Sequence, residues 1–261
     1  MKVLGSHLML ARPGAALRVL FFHHAGGSAM SYLPLARDLP ATCEPLMFEL
    51  PGRGLRHAEA PAADYPAAVD ALSEDVAAAI DRPTVLFGHS LGAIIAHGLV
   101  CALPPDKQAL VRAVVVSAFT APHHAARAAT HPEEPFVVRS REDLLGELAG
   151  RGGCDPELFA EPDLVALAVD LLGADLHLAD TYVEPPPPVG DIDYHVWHGR
   201  DDAYVDEDTL ADWGRSTPKP PAARDFRGGH FYLDSTPEVR VALRELLESV
   251  RSIEMGEVTP W

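Results

Sequence analysis

Cysteine is scarce: Cys43, Cys101 and Cys154 are the only three, and they lie far apart. They make neither a disulfide framework nor a C-x-x-C metal site, so a reduced, cytoplasmic setting without a bound metal is expected. Basic residues are also in short supply. Lys and Arg number 21 against 38 Asp and Glu, a formal net charge of −17. That balance makes the chain a poor candidate for nucleic acid or for anionic membranes, and is read as solubility. No apolar run approaches the roughly 20 residues needed to span a bilayer. No N-terminal segment has a basic start, an apolar stretch and a small-residue cleavage site in order. What the chain does have is 261 residues, 48% of them hydrophobic, which suits one large α/β domain with a sizeable core.

Strand signals alternate with helical ones. A buried strand is predicted over 18–22, further strands over 44–50, 84–87, 111–117 and 194–197, a short one over 224–226, and helices over 31–39, 65–80, 91–103, 206–215 and 237–252. Val69, Leu72, Val76 and Ile80 share one helical face. Strands separated by helices imply right-handed crossovers and a mostly parallel sheet with helices on both faces. The alternation breaks between 122 and 188, where helices are expected over 141–149 and 163–182 and no strand is. This segment ends in four prolines, Pro185 to Pro188, a stiff spacer. The organisation read from the sequence is therefore a core of 1–121 and 189–261 interrupted by a helical lid, 122–188. The residues from Glu254 onward are expected to fray.

Gly88-His89-Ser90-Leu91-Gly92 lies between the apolar runs Val85-Leu86-Phe87 and Ala93-Ile94-Ile95-Ala96. A G-x-S-x-G pattern in a strand–turn–helix context is a nucleophile elbow, with the serine hydroxyl exposed above the sheet. A serine hydroxyl is weak at neutral pH and needs a base, which itself needs an orienting acid. On this kind of sheet the chain order is serine, acid, histidine. Two loops follow in that order, both at the carboxyl ends of predicted strands, where function gathers in open parallel sheets. The first offers Asp201 and Asp202; the G-x-x-D-x-x-V setting from Gly199 to Val205 favours Asp202. The second, Arg227-Gly228-Gly229-His230-Phe231, offers His230. His89, His97, His195 and His198 are read as scaffold. Two N–H donors must hold the developing oxyanion. One is expected from Leu91, the residue after the nucleophile, and the other from the loop His24-Ala25-Gly26-Gly27.

Phe21-Phe22-His23-His24-Ala25-Gly26-Gly27-Ser28, Leu50-Pro51-Gly52-Arg53, Gly88-His89-Ser90-Leu91-Gly92-Ala93 and Gly228-Gly229-His230-Phe231 together resemble the type II thioesterases of polyketide and non-ribosomal peptide assembly lines. The likeness runs from about Leu17 to Leu247. It implies an α/β-hydrolase fold and hydrolysis of acyl thioesters on the phosphopantetheine arm of acyl or peptidyl carrier proteins. The enzyme itself would need no cofactor and would act as a monomer. It also implies Ser90 as nucleophile, His230 as base, Asp202 as its orienter, and Ala25 and Leu91 as the oxyanion-hole donors. His23-His24 departs from the usual Pro or other aromatic, a change expected at the pocket's floor. Leu144, Leu145, Leu148, Leu164, Leu167, Leu171 and Leu172 are candidates to line an acyl chamber or to pack the lid down. Carrier proteins of this class are acidic, so docking calls for a local basic patch, with Arg53, Arg56, Arg127, Arg139 and Arg141 as candidates. The competing readings are a carboxylesterase or lipase acting on free esters, and an inactive hydrolase-like binding module.

Overall fold

Phe21 and Phe22 are neighbours in the chain but pack into different cores, because successive side chains of a strand leave on opposite faces. The split repeats along the sheet. Leu20, Leu46, Leu86, Val114 and Val196 face one core, and Val19, Met47, Val85, Val115 and Trp197 the other. A sheet with two apolar faces needs cover on both.

The computed structural model describes residues 1–129, 139–150, 160–205 and 207–256. Cys154, the Gly152-Gly153 pair and the terminal residues 257–261 lie outside the described residues. Eight strands form one sheet: β1 Lys2–Leu4, β2 His7–Met9, β3 Leu17–Phe22, β4 Cys43–Phe48, β5 Thr84–His89, β6 Val111–Ser117, β7 Asp193–Gly199 and β8 Ala222–Phe226. Their spatial order is β1-β2-β4-β3-β5-β6-β7-β8. The six strands from β4 to β8 across the sheet pair in parallel, while β1 and β2 add an antiparallel edge. The described helices are α1 Leu33–Arg37, α2 Tyr65–Ala79, α3 Leu91–Ala102, α4 Pro105–Gln108, α5 Pro122–Ala129, α6 Arg141–Gly150, α7 Pro162–Asp180, α8 Tyr232–Ser235 and α9 Pro237–Glu254. None of them is long and apolar enough to cross a membrane.

Helices α2 and α3 cover one face and α1 and α9 the other. The stripe read from the sequence, Val69, Leu72, Val76 and Ile80, is buried as expected. Asp64 caps α2 by accepting from the Ala67 N–H at 2.8 Å, and Pro66 opens its first turn. On α9, Val239, Ala242, Leu243, Leu247 and Val250 fill the opposite core at helical spacing.

Three local expectations change. The helix expected over 31–39 splits into a 3₁₀ turn, Ala29–Tyr32, and the short α1. Glu207–Arg215 is 3₁₀ rather than α, and its buried pair Leu210 and Trp213 is spaced three apart, the period of that helix. The β1–β2 hairpin was not foreseen. It turns at Gly5, with φ +53°, and its Ser6 N–H donates to Asp75 of α2 at 3.0 Å.

Between β6 and β7 the described residues hold helices and no strand. Leu144, Leu148, Val169, Leu172 and Leu176 of α6 and α7 form a small apolar cluster of their own. The end of α7 joins the main core through Leu178, and Tyr182 just beyond it does the same.

Candidate active site

Strand β5 ends at His89, α3 begins at Leu91, and Ser90 between them has φ 55° and ψ −123°. A side chain larger than glycine rarely tolerates positive φ, so the surroundings must enforce it. They do so by close backbone approach. A Cβ on Gly88 would lie 1.9 Å from the Gly92 carbonyl oxygen, and one on Gly92 would lie 2.0 Å from the Phe22 carbonyl oxygen. Both glycines of the motif are therefore sterically required. Ser90 stands at the N-terminus of α3, where the first N–H groups have no partner within the helix and favour negative charge.

The two downstream loops converge on this serine. His230 Nε2 lies 3.0 Å from Ser90 Oγ, and His230 Nδ1 lies 2.9 Å from Asp202 Oδ2. An Nδ1–H donated to the carboxylate leaves Nε2 to accept the serine hydroxyl. Asp202 Oδ1 accepts from the Tyr204 N–H at 2.9 Å, which fixes the carboxylate's plane. The Asp202 side chain is fully buried, whereas Asp201 is exposed, so the structure separates the two neighbours. The acid and base loops are also bound to each other. Asp201 N–H donates to the Gly228 carbonyl at 3.0 Å, and a Cβ on Gly199 would lie 2.4 Å from the Gly228 and Gly229 oxygens.

Backbone pairing continues past the strand ends. Ser90 N–H donates to Ser117 O at 2.7 Å, Ala118 N–H to Trp197 O at 2.8 Å, and Arg200 N–H to Phe226 O at 2.9 Å. The turns that carry the serine and the acid are thus extensions of the sheet.

Behind the triad sits His89, whose Nδ1 lies 2.8 Å from Ser117 Oγ; that hydroxyl also meets Tyr232 OH at 2.6 Å. Burial, and then the neighbouring His230, holds the His89 pKa well below its usual value, so His89 is a neutral scaffold ring. His97 is buried against Tyr194 OH at 3.0 Å, and burial lowers its pKa to about 4. Both match the scaffold role read from the sequence. The His23-His24 pair divides. His23 is buried, accepts from the Leu50 N–H at 3.3 Å through Nε2, and has its pKa lowered to about 3 by burial and then by Arg53. Only His24 reaches a pocket, edge-on to Phe231 with ring centroids 4.8 Å apart.

The loop expected to supply an oxyanion donor lies against α7. Gly26 N–H donates to Asp175 Oδ2 at 2.7 Å. Arg53 grips the same carboxylate with both terminal nitrogens, at 2.5 and 2.6 Å, and donates to the Gly27 carbonyl at 3.3 Å. Asp175 did not stand out in the sequence. Its signal was an acid on the apolar stripe Val169, Leu172, Leu176, a position that requires a buried partner. Beside this loop is a cavity of about 320 Å³ lined by His24, Gly26, Arg53, Leu148, Leu171 and Phe231 among others.

The candidate docking arginines mostly have other partners. Arg53 is 4% exposed and engaged by Asp175, so it cannot serve as a surface cation. Arg56 pairs with Glu59 and Arg139 with Asp180. Arg141 is exposed, 3.8 Å from Asp170. The side chain of Arg127 lies outside the described residues. The leucines also separate: Leu144, Leu148 and Leu172 pack α6 to α7, Leu148, Leu171 and Leu172 border the cavity, and Leu164 and Leu167 face solvent. Among the described residues one group, His123, His124 and Asp212, brings metal-ligand atoms within 4.8 Å of one another. Arg215 Nη1 lies 3.4 Å from His123 Nε2, a cation that opposes a second one there. No member of the triad belongs to that group.

The model of the Thioesterase domain family matches residues 18–249. The chain belongs to that family. Its curated relatives include a probable cadicidin biosynthesis thioesterase of Streptomyces griseus, 29% identical over 84% of this chain and 58% of that protein. They also include the phenyloxazoline synthase MbtB of Mycobacterium tuberculosis, 32% identical over 85% of this chain but only 15% of that synthase. The chain thus spans little more than half of the first relative and a small part of the second. Among solved structures, the type II thioesterase BorB of the borrelidin cluster superposes with a TM-score of 0.79 at 30% identity, covering 96% of this chain and 99% of that one. RedJ, a thioesterase of the prodiginine pathway in Streptomyces coelicolor, gives 0.76 at 25% identity over 90% and 86%. The fold is the α/β-hydrolase fold, as the motifs implied, and the resemblance to type II thioesterases is borne out.

Proposed function

We propose that this thioesterase-family protein hydrolyses acyl thioesters on the phosphopantetheine arm of carrier proteins in polyketide or non-ribosomal peptide assembly, removing stalled or aberrant acyl groups. The observation that carries the reading is the buried relay Asp202–His230–Ser90, with contacts of 2.9 and 3.0 Å. Ser90 Oγ attacks the thioester carbonyl as its proton passes to His230 Nε2, and Asp202 stabilises the resulting imidazolium. The carbonyl oxygen becomes an oxyanion held by the N–H groups of Leu91 and Ala25. The C–S bond breaks, and the thiolate takes the proton from His230. Water then attacks the acyl-enzyme and gives a proton to the same nitrogen. The second tetrahedral intermediate collapses, breaking the C–Oγ bond. The acid leaves, and Ser90 recovers its proton. In this reading the segment 122–188 is a lid over an acyl chamber, and the cavity beside Leu148 and Leu171 belongs to that chamber. The only phosphopantetheine involved is the substrate's own.

The test compares octanoyl-loaded carrier protein and octanoyl-pantetheine with a p-nitrophenyl octanoate ester. The thioesters are expected to give the higher kcat/KM. Ser90→Ala is expected to lower turnover by about 10⁴-fold or more with the circular dichroism unchanged. Turnover of the ester alone would make the protein a carboxylesterase, and wild-type turnover in Ser90→Ala would displace the nucleophile.

A further inference from the structure

Asp175 is 0% and Arg53 4% exposed, so both charges of a bidentate ion pair are withdrawn from water. A buried pair of this kind contributes little net stability compared with apolar residues of the same volume. Its geometry shows another use. Three separate segments meet on one carboxylate: α7 supplies it, Arg53 of the Pro51-Gly52-Arg53 turn clamps it, and Gly26 N–H is the third donor. Arg53 also reaches the Gly27 carbonyl. The peptide groups that follow Ala25 are therefore fixed from both sides.

Packing adds to the hold. Gly26 has φ +75°, and a Cβ there would lie 3.6 Å from Leu172 of α7. Ala25 packs both on the main core and on the α6–α7 cluster. The loop is enclosed between the body and the helix.

We propose that Asp175, through Arg53, is a positioning residue for oxyanion stabilisation: seating α7 on the body sets the loop that presents the Ala25 N–H to the substrate. The donor is then aligned only while α7 is docked. The helical segment contributes to the chemical step itself, in addition to forming a wall of the chamber. This inference rests on the reading of Ser90 and Ala25 given above.

The test uses the full chain and two variants, Asp175→Asn and the double variant Arg53→Met/Asp175→Leu. The readouts are kcat and KM on octanoyl-pantetheine, thermal midpoint, and inhibition by octylboronic acid, which forms a tetrahedral adduct on an active serine. The amide in Asp175→Asn directs N–H groups at Arg53 or Gly26. Its kcat is expected to fall about 10- to 100-fold with KM within twofold, below the full loss of one donor. Boronate affinity is expected to fall in parallel. The double variant, which removes both charges of the pair, is expected to recover most of the thermal midpoint lost in Asp175→Asn but not kcat or boronate affinity. If Asp175→Asn does not fold, the double variant carries the test. Wild-type kcat and boronate affinity in a folded variant of either kind would reduce the pair to a structural contact and overturn the proposal. Ser90→Ala keeps the two claims apart: if it stays active, the reading of the site fails whatever Asp175 does.

Discussion

Ser90 and Asp202 stand on turns that prolong the sheet, and the His230 loop is tied to the acid loop by backbone contacts, whereas Gly26 and Gly27 are steadied from outside the sheet. The partner that steadies Gly26, Asp175, lies 149 residues further along the chain. The first half of the site is therefore placed by local backbone geometry and by strand pairing. The second half depends on a tertiary contact with a helix that packs partly on its own apolar cluster. The side chains expected to do the chemistry are set by the sheet, and the loop expected to receive the developing charge is set by a helix outside it.

The comparison breaks most sharply at the acid. Asp202→Asn removes the carboxylate that orients His230 and is expected to lower kcat by about 10³–10⁴-fold. The neighbouring Asp201→Asn, whose side chain is exposed, is expected to stay within twofold; equal losses in parallel assays would show that the loop, not one carboxylate, is required.

A smaller effect comes from pH and concerns the body alone. His97 is neutral when folded, with its pKa lowered to about 4 by burial, and returns to about 6.5 on unfolding. Above pH 6.5 neither state binds a proton there. Below it the unfolded chain takes one up and the folded chain does not, so stability falls with pH until about pH 4. The loss from this residue is about 2 kcal/mol by pH 5. Chemical denaturation at pH 7 and pH 5 is expected to show a shallower decline for His97→Gln than for the wild type. An identical decline would place the sensitivity elsewhere, with His23 the next candidate.

The smallest effect tests the surface of the helical segment. Arg141→Ala removes an exposed contact 3.8 Å from Asp170 and is expected to change stability by less than about 0.5 kcal/mol. A large shift in its thermal midpoint would mean that this half of the molecule depends on surface charge and not on Asp175.

The body was legible in the sequence because its signals are local or periodic. Apolar runs marked β3 to β7, the stripe on α2 needed only helical spacing, and the elbow announced itself by two glycines that no other residue could replace. Chain order and loop position singled out Ser90, Asp202 and His230, three side chains that lie within hydrogen-bond distance in the fold. The β1–β2 hairpin escaped because its strands are three residues long and β1 is wholly exposed, which leaves no alternation to read. The 3₁₀ form of Glu207–Arg215 escaped because two apolar residues three apart fit either helix. Arg53 was misjudged for a different reason. A lone arginine reads as a surface cation until its partner is known, and that partner lies 122 residues away on a helix otherwise read as leucines.

The hydrogen bonds that run from Ser90 to Ser117, Ala118 to Trp197 and Arg200 to Phe226 carry one more consequence. They continue a ladder whose amides open to solvent only when the sheet itself comes apart. The Ser90 turn is tied to β6 inside the sheet, whereas the acid turn is tied to the exposed edge strand β8, so amide exchange is expected to be slower at Ser90 than at Arg200. Partial unfolding that spares the central strands is expected to spare the Ser90 turn as well.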